Sequence, residues 1–208
     1  GAELLRNGYE VIGTVRSASK TASTTSAIAT VTPVDNLSFA EADLLSDTGW
    51  DEAMAGCTYV IHVASPFVMA EPKDEKELIT PAVDGTKRVV QAAQRAGVSR
   101  LVLTSSIFAM IAGKDSGRYG PDSWSDTDAD IGAYAKSKTL AERAAWDING
   151  NDTMELTVIN PGGVSGPPLN AQAHSSSVAM MSDMINGKMP MLPDLALNMV
   201  DVRDVARL

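Results

Sequence analysis

The alternation of short Val- and Ile-rich runs with longer stretches of helical periodicity sets the strongest limit on how this chain can fold. Residues 9–15, 37–42, 59–63, 100–104 and 156–159 are short runs dominated by apolar residues, as in Tyr59-Val60-Ile61-His62-Val63, and read as strands. Between them, 50–55, 76–96 and 133–148 read as helices, with Gly97 placed to cap the second. A strand that is apolar on both faces must be covered on both, and helices lying between strands in sequence supply that cover. The pattern therefore predicts an α/β protein built on a doubly wound parallel sheet. Residues 17–32, rich in Ser, Thr and Ala, are expected to form a helix and a mobile loop. After Pro161 a turn-rich passage, Gly162-Gly163-Val164-Ser165-Gly166-Pro167-Pro168, precedes a Met-rich stretch over 178–191 that holds Met180, Met181, Met184, Met189 and Met191. This change of character divides the chain into a sheet domain, 1–165, and the beginning of a smaller lobe, 166–208.

Composition excludes several functions. The 17 basic residues against 26 acidic ones leave a net charge of −9, with no basic cluster, so neither nucleic acid nor an anionic membrane surface is an expected partner. Two histidines and a single cysteine make no plausible zinc site, and no metal is expected. Cys57 reads as buried and inert, and its being alone suits a reducing compartment. No apolar run approaches the roughly 18 residues that read as a membrane span. The expectation is a soluble, cytoplasmic protein, monomeric or homodimeric.

The chemistry gathers in one helix. In Tyr134-Ala135-Lys136-Ser137-Lys138 a phenol and an ammonium stand at i and i+4, on one helix face. A tyrosine pKa of about 10 must fall by a few units for the residue to give up a proton near neutrality, and a neighbouring ammonium can supply much of that. Upstream, Thr104-Ser105-Ser106 closes a strand. If Ser106 reaches the same point, the three groups can hold a carbonyl oxygen and protonate it as a hydride arrives.

In open α/β sheets, ligands bind at the carboxyl ends of the strands. The run Glu10-Val11-Ile12-Gly13-Thr14-Val15-Arg16 ends in Arg where an NAD-specific sheet usually presents an acid. Arg16, with Ser17 and Lys20 assisting, is suited to a charge-assisted bidentate contact with a 2′-phosphate, which implies NADP(H). Asp43 and Leu44 are placed to meet an adenine edge. His62-Val63-Ala64-Ser65-Pro66 brings small residues near pyrophosphate and ribose. His62 reads equally as a core histidine, and no proton transfer is assigned to it. The Gly-rich turn that cradles pyrophosphate is expected just upstream of Ala2, so the chain is expected to start inside the helix that follows that turn, without the first strand.

Together, Gly13-Thr14-Val15-Arg16, His62-Val63-Ala64-Ser65-Pro66-Phe67, Thr104-Ser105-Ser106, Asp122-Ser123-Trp124-Ser125-Asp126, the Tyr134–Lys138 pair, Asn160-Pro161-Gly162 and Val200-Asp201-Val202-Arg203-Asp204-Val205-Ala206 resemble the extended short-chain dehydrogenase/reductases. The likeness is to the dihydroflavonol 4-reductase, cinnamoyl-CoA reductase and aldehyde reductase branch, of Rossmann-like fold. It implies an NADPH-dependent reductase of a ketone or aldehyde, and that 166–208 begins a substrate-binding lobe. Carried over, Ser106 polarises the carbonyl, Tyr134 donates the proton, and Lys138 lowers the Tyr134 pKa and binds the nicotinamide ribose. Ser105 is the rival for the serine role, but Ser106-Ile107-Phe108-Ala109 matches the family's spacing. The resemblance further implies that Val63, Ala64, Ser65 and Thr104 border the cofactor, that Pro161, Gly163 and Val164 face the nicotinamide, and that Pro66, Phe67, Phe108 and Met110 border the substrate.

Two other functions share these features. A nucleotide-sugar epimerase or dehydratase uses the same Ser/Tyr/Lys set with retained NAD, but Arg16 and Ser65-Pro66-Phe67 weigh against it. A non-catalytic dinucleotide-binding module could drop Tyr or Lys, whereas this chain has all three. A shortened piece, with the phosphate turn and most of the lobe missing, would be inactive.

Overall fold

The computed structural model describes residues 1–66, 72–150, 154–169, 176–188 and 198–208. In chain order the elements are α1 Ala2–Arg6, β1 Val11–Val15, α2 Thr21–Ala29, β2 Leu37–Glu41, α3 Trp50–Met54, β3 Tyr59–His62, α4 Lys76–Arg95, β4 Arg100–Thr104, α5 Phe108–Ile111, α6 Gly132–Asn149, β5 Glu155–Ile159, β6 Gly163–Ser165, α7 Ser176–Ile185, β7 Met199–Asp201 and α8 Val202–Val205. The expected strands and helices are present, with ends that differ by a residue or two where hydrogen bonding stops. The Ser/Thr-rich segment supplies a 3-10 turn, Ala18–Lys20, and α2.

The described residues form two compact units. One comprises Thr14–Ser17 and Ala40–Asn160, the other Gly1–Gly13, Ala18–Phe39 and Pro161–Leu208. In the first, β3, β4 and β5 form a parallel sheet in that order, with Leu101 facing Val60 on one side and Leu156 on the other. In the second, β6 and β7 are a parallel pair. β1 and β2 pair with each other.

The core of the first unit lies on one face of its sheet. Leu101 and Leu103 of β4 point into a cluster with Trp50, Met54, Val89, Val90, Ala93 and Ala145 from α3, α4 and α6. Each large aliphatic side chain buried in this way is worth about 1.5–3 kcal/mol. Buried alanines on both long helices, Ala92 and Ala93 on α4 and Ala141, Ala144 and Ala145 on α6, keep their surfaces smooth and let the backbones approach closely.

Two expectations need correction. β3 is not apolar-buried on both faces: Tyr59 and Ile61 are 56% and 49% exposed, while His62 turns inward. Side chains alternate between the faces of a strand, so Tyr59 and Ile61 share the face of β3 that is open to solvent, while Val60 and His62 share the covered one. Cys57 is only half-buried, because it sits in the turn after α3, where its thiol donates to the Ala53 carbonyl at 3.6 Å.

The Gly97 cap forms as expected. Its φ of +69° places it in the left-handed region, the Gly97 amide donates to the Gln94 carbonyl, and the Val98 amide donates to the Ala93 carbonyl. This pair of hydrogen bonds closes the end of α4 and redirects the chain into β4.

Candidate active site

The site is assembled by three adjacent features of the first unit: the chain leaving β4, the chain leaving β5, and α6. Ser105 extends the ladder by one bond, its amide donating to the Ile159 carbonyl at 2.8 Å. The chain then turns into α5, and the Phe108 amide donates to the Ser106 hydroxyl oxygen at 3.2 Å, which fixes that oxygen at the helix start. Ser106 is 5% exposed.

α6 places Tyr134, Lys138 and Glu142 along one face, at i, i+4 and i+8. Ser106 and the Tyr134 side chain are hydrogen-bonded. The Lys138 ammonium stands 5.8 Å from the centre of the Tyr134 ring, and the Phe108 ring meets that ring edge-on at 6.1 Å. The structure thus brings Ser106, Tyr134, Lys138 and Phe108 together. Ser106, rather than Ser105, reaches Tyr134; the Ser105 hydroxyl is buried and has no hydrogen-bond partner.

The electrostatics depart from the sequence expectation. Burial raises the Tyr134 phenol above its ordinary value, and the hydrogen bond from Ser106 is what opposes it. Burial also drops the Lys138 ammonium to about 8. Both groups lose solvation on the same face, so desolvation outweighs the lowering that the lysine was expected to provide. His62, 5% exposed, is driven down to about 4 by burial first and by the Lys138 charge second, which keeps it neutral at ordinary pH. His62, Ser105, Thr86, Lys138 and Glu142 line a cavity of about 10 Å³, close to the least space that holds one water.

Two supports escaped the sequence reading. Ser125, fully buried, donates from its hydroxyl to the Phe108 carbonyl and accepts from the Ala112 amide, both at 2.8 Å, while its own amide donates to the Ala109 carbonyl. It clamps both ends of α5. Its motif, Asp122 to Asp126, was visible; its contact with α5 was not, because seventeen residues separate Ser125 from Phe108. Asn160 bridges Glu142 and the Ser106 carbonyl. The spacing of Glu142, one turn beyond Lys138, was the signal that could have marked it.

The expected cofactor residues divide between the units. Arg16, Ser17, Asp43, Leu44, Val63, Ala64, Ser65 and Thr104 belong to the unit that holds the site, while Lys20, Pro161, Gly163 and Val164 belong to the other. Arg16 is exposed just past β1, and Val63 and Ala64 are exposed just past β3. The Asp43 carboxylate accepts from the Leu45 amide at 2.9 Å, and Leu44 packs against the core. A cation and small apolar residues at the carboxyl ends of strands, with a buried ammonium beside the phenol, fit a phosphorylated dinucleotide. Pro66 and Met110 are half-buried, and Phe67 lies outside the described residues, as do Met189 and Met191.

A parallel sheet bearing a serine at one strand end and a Tyr-x-x-x-Lys helix beside it defines a nicotinamide-type α/β protein. The family model for the NAD dependent epimerase/dehydratase family matches residues 2–208, and the chain belongs to that family. Among its relatives, cinnamoyl-CoA reductase of Medicago truncatula is 36% identical over 213 residues, covering 98% of this chain and 64% of the relative. Dihydroflavonol 4-reductase of Hordeum vulgare is 35% identical over 188 residues, covering 86% of this chain and 53% of the relative. Yeast methylglyoxal/isovaleraldehyde reductase, solved in complex with NADPH, superposes with a TM-score of 0.86 at 27% identity, covering 99% of this chain and 67% of that one. The chain thus spans between half and two thirds of the length of these relatives.

Proposed function

We propose that this chain carries the catalytic residues of an NADPH-dependent reductase of ketones or aldehydes. The observation that carries the reading is the hydrogen bond between Ser106 and the Tyr134 side chain, with the buried Lys138 ammonium one turn along the same helix. The relatives support it, since those named above are reductases and one was solved with NADPH.

A nicotinamide cofactor, when bound, would supply the hydride. Arg16, with Ser17, would hold its 2′-phosphate, and Lys138 its nicotinamide ribose. Ser106 donates to the substrate's carbonyl oxygen and stabilises the charge that grows there. Tyr134, held in its protonated state by burial, has the proton that this oxygen needs. Lys138, whose pKa of about 8 leaves it mostly cationic at neutral pH, stabilises the phenolate left behind. Phe108 and Pro66 would border the carbonyl compound.

The test is NADPH consumption by the protein as its gene encodes it, with aromatic and aliphatic aldehydes and ketones. Tyr134→Phe is expected to lower kcat by about 10²–10⁴-fold with NADPH binding retained. Near-normal turnover in that variant would remove Tyr134 from the proton transfer. Tightly retained NAD with no response to NADPH would instead favour the epimerase chemistry of the wider family.

A further inference from the structure

We propose that Glu142 and Asn160 form a positioning bridge that fixes the Ser106 turn against α6, and so sets the approach of Ser106 to Tyr134. The inference rests on the reductase reading above. Glu142 is only 6% exposed. A carboxylate is almost never buried so completely unless it is paired. Its partner is the Asn160 side-chain amide, which donates to Glu142 Oε2 at 2.7 Å. The same nitrogen donates to the Ser106 carbonyl at 3.2 Å. An amide NH₂ has two hydrogens, so one side chain can serve both acceptors at once.

The bridge ties three elements: α6 through Glu142, the end of β5 through Asn160, and the turn after β4 through Ser106. Tyr134 and Lys138 stand on the same face of α6 as Glu142, so whatever holds Glu142 relative to Ser106 also holds them. Neither Glu142 nor Asn160 has a part in the proton transfer described above. Sites of this kind lose rate steeply when a supporting contact lets reacting groups drift.

The experiment compares kcat and KM for NADPH in Glu142→Ala, Asn160→Ser, the double variant and Glu142→Gln. Each single variant is expected to lower kcat by about 10-fold or more while KM for NADPH shifts by less than about threefold. The double variant should lose little beyond either single one, since both break one bridge. Glu142→Gln keeps an oxygen that can accept from Asn160 and should recover kcat to within about threefold of the wild type. Wild-type kcat in Glu142→Ala or Asn160→Ser overturns the proposal, as do additive losses in the double variant. A fall in Glu142→Gln as deep as in Glu142→Ala also overturns it, because the charge beside Lys138 would then be what matters. A crystal structure of Glu142→Ala, or of Asn160→Ser should the former not fold, gives a readout independent of turnover. The Ser106 hydroxyl should have moved off Tyr134, and its staying in place refutes the bridge even if no carbonyl substrate is turned over. Wild-type protein inactive with every carbonyl tried would count against the reductase reading instead.

Discussion

At Lys138 a cost to stability falls on the side chain to which the proposed reaction gives a role. Its ammonium is buried, and the fall in pKa from 10.5 to about 8 corresponds to about 3 kcal/mol of disfavoured charge. At neutral pH the folded and unfolded chains both carry that proton, and the folded state bears the cost. As pH rises from 8 towards 10.5 the folded state sheds the proton first, so the unfolded state binds more protons and stability rises. Lys138→Met should therefore stabilise the protein near neutral pH by about 1–3 kcal/mol in denaturant unfolding, with the gain fading above pH 8. A gain that stays constant up to about pH 10 would trace the effect to packing rather than charge. At this scale the Tyr134–Lys138 spacing was legible, since helix periodicity alone puts i and i+4 on one face. The direction of the Tyr134 shift was not, because it depends on how much protein covers the phenol.

At the scale of elements, the helices and strands of the core unit follow from apolar periodicity and their punctuation. The Gly97 cap was readable because a glycine closing an amphipathic run has few other roles. Gly49, just before α3, was not readable, since its constraint is a backbone neighbour from β2. Both have positive φ, +69° and +87°, but an added Cβ meets nothing at Gly97 and lies 2.1 Å from the Glu41 carbonyl oxygen at Gly49. Gly97→Ala is expected to cost about 1–2 kcal/mol, the penalty of the left-handed conformation alone. Gly49→Ala should cost about 3 kcal/mol or more, because strain and a backbone clash add. Denaturant midpoints of the two variants would check the ordering, and equal losses would contradict it. The Ser125 clamp on α5 is likewise invisible in sequence, where its partners Phe108 and Ala112 are far away.

For the molecule as a whole, buried titratable groups make stability depend on pH. His62 is lowered from 6.5 to about 4. Between those values the unfolded chain binds a proton that the folded chain refuses, so stability is full above pH 6.5 and declines as pH falls through about 4. The loss from this group approaches about 3 kcal/mol. His62→Gln should flatten that part of the unfolding profile, and an unchanged acid limb would assign it to other groups.

The order of strands and helices, the parallel α/β class, the Tyr134–Lys138 face and the arginine closing β1 were determined by the sequence alone. Each depends on residue type at short spacing, where backbone geometry leaves little freedom. Only the tertiary structure decided that β3 presents one face to solvent, and that Asn160 joins Glu142 to the Ser106 turn. Those outcomes are contacts between residues distant along the chain, and they are set by how the sheet and α6 pack.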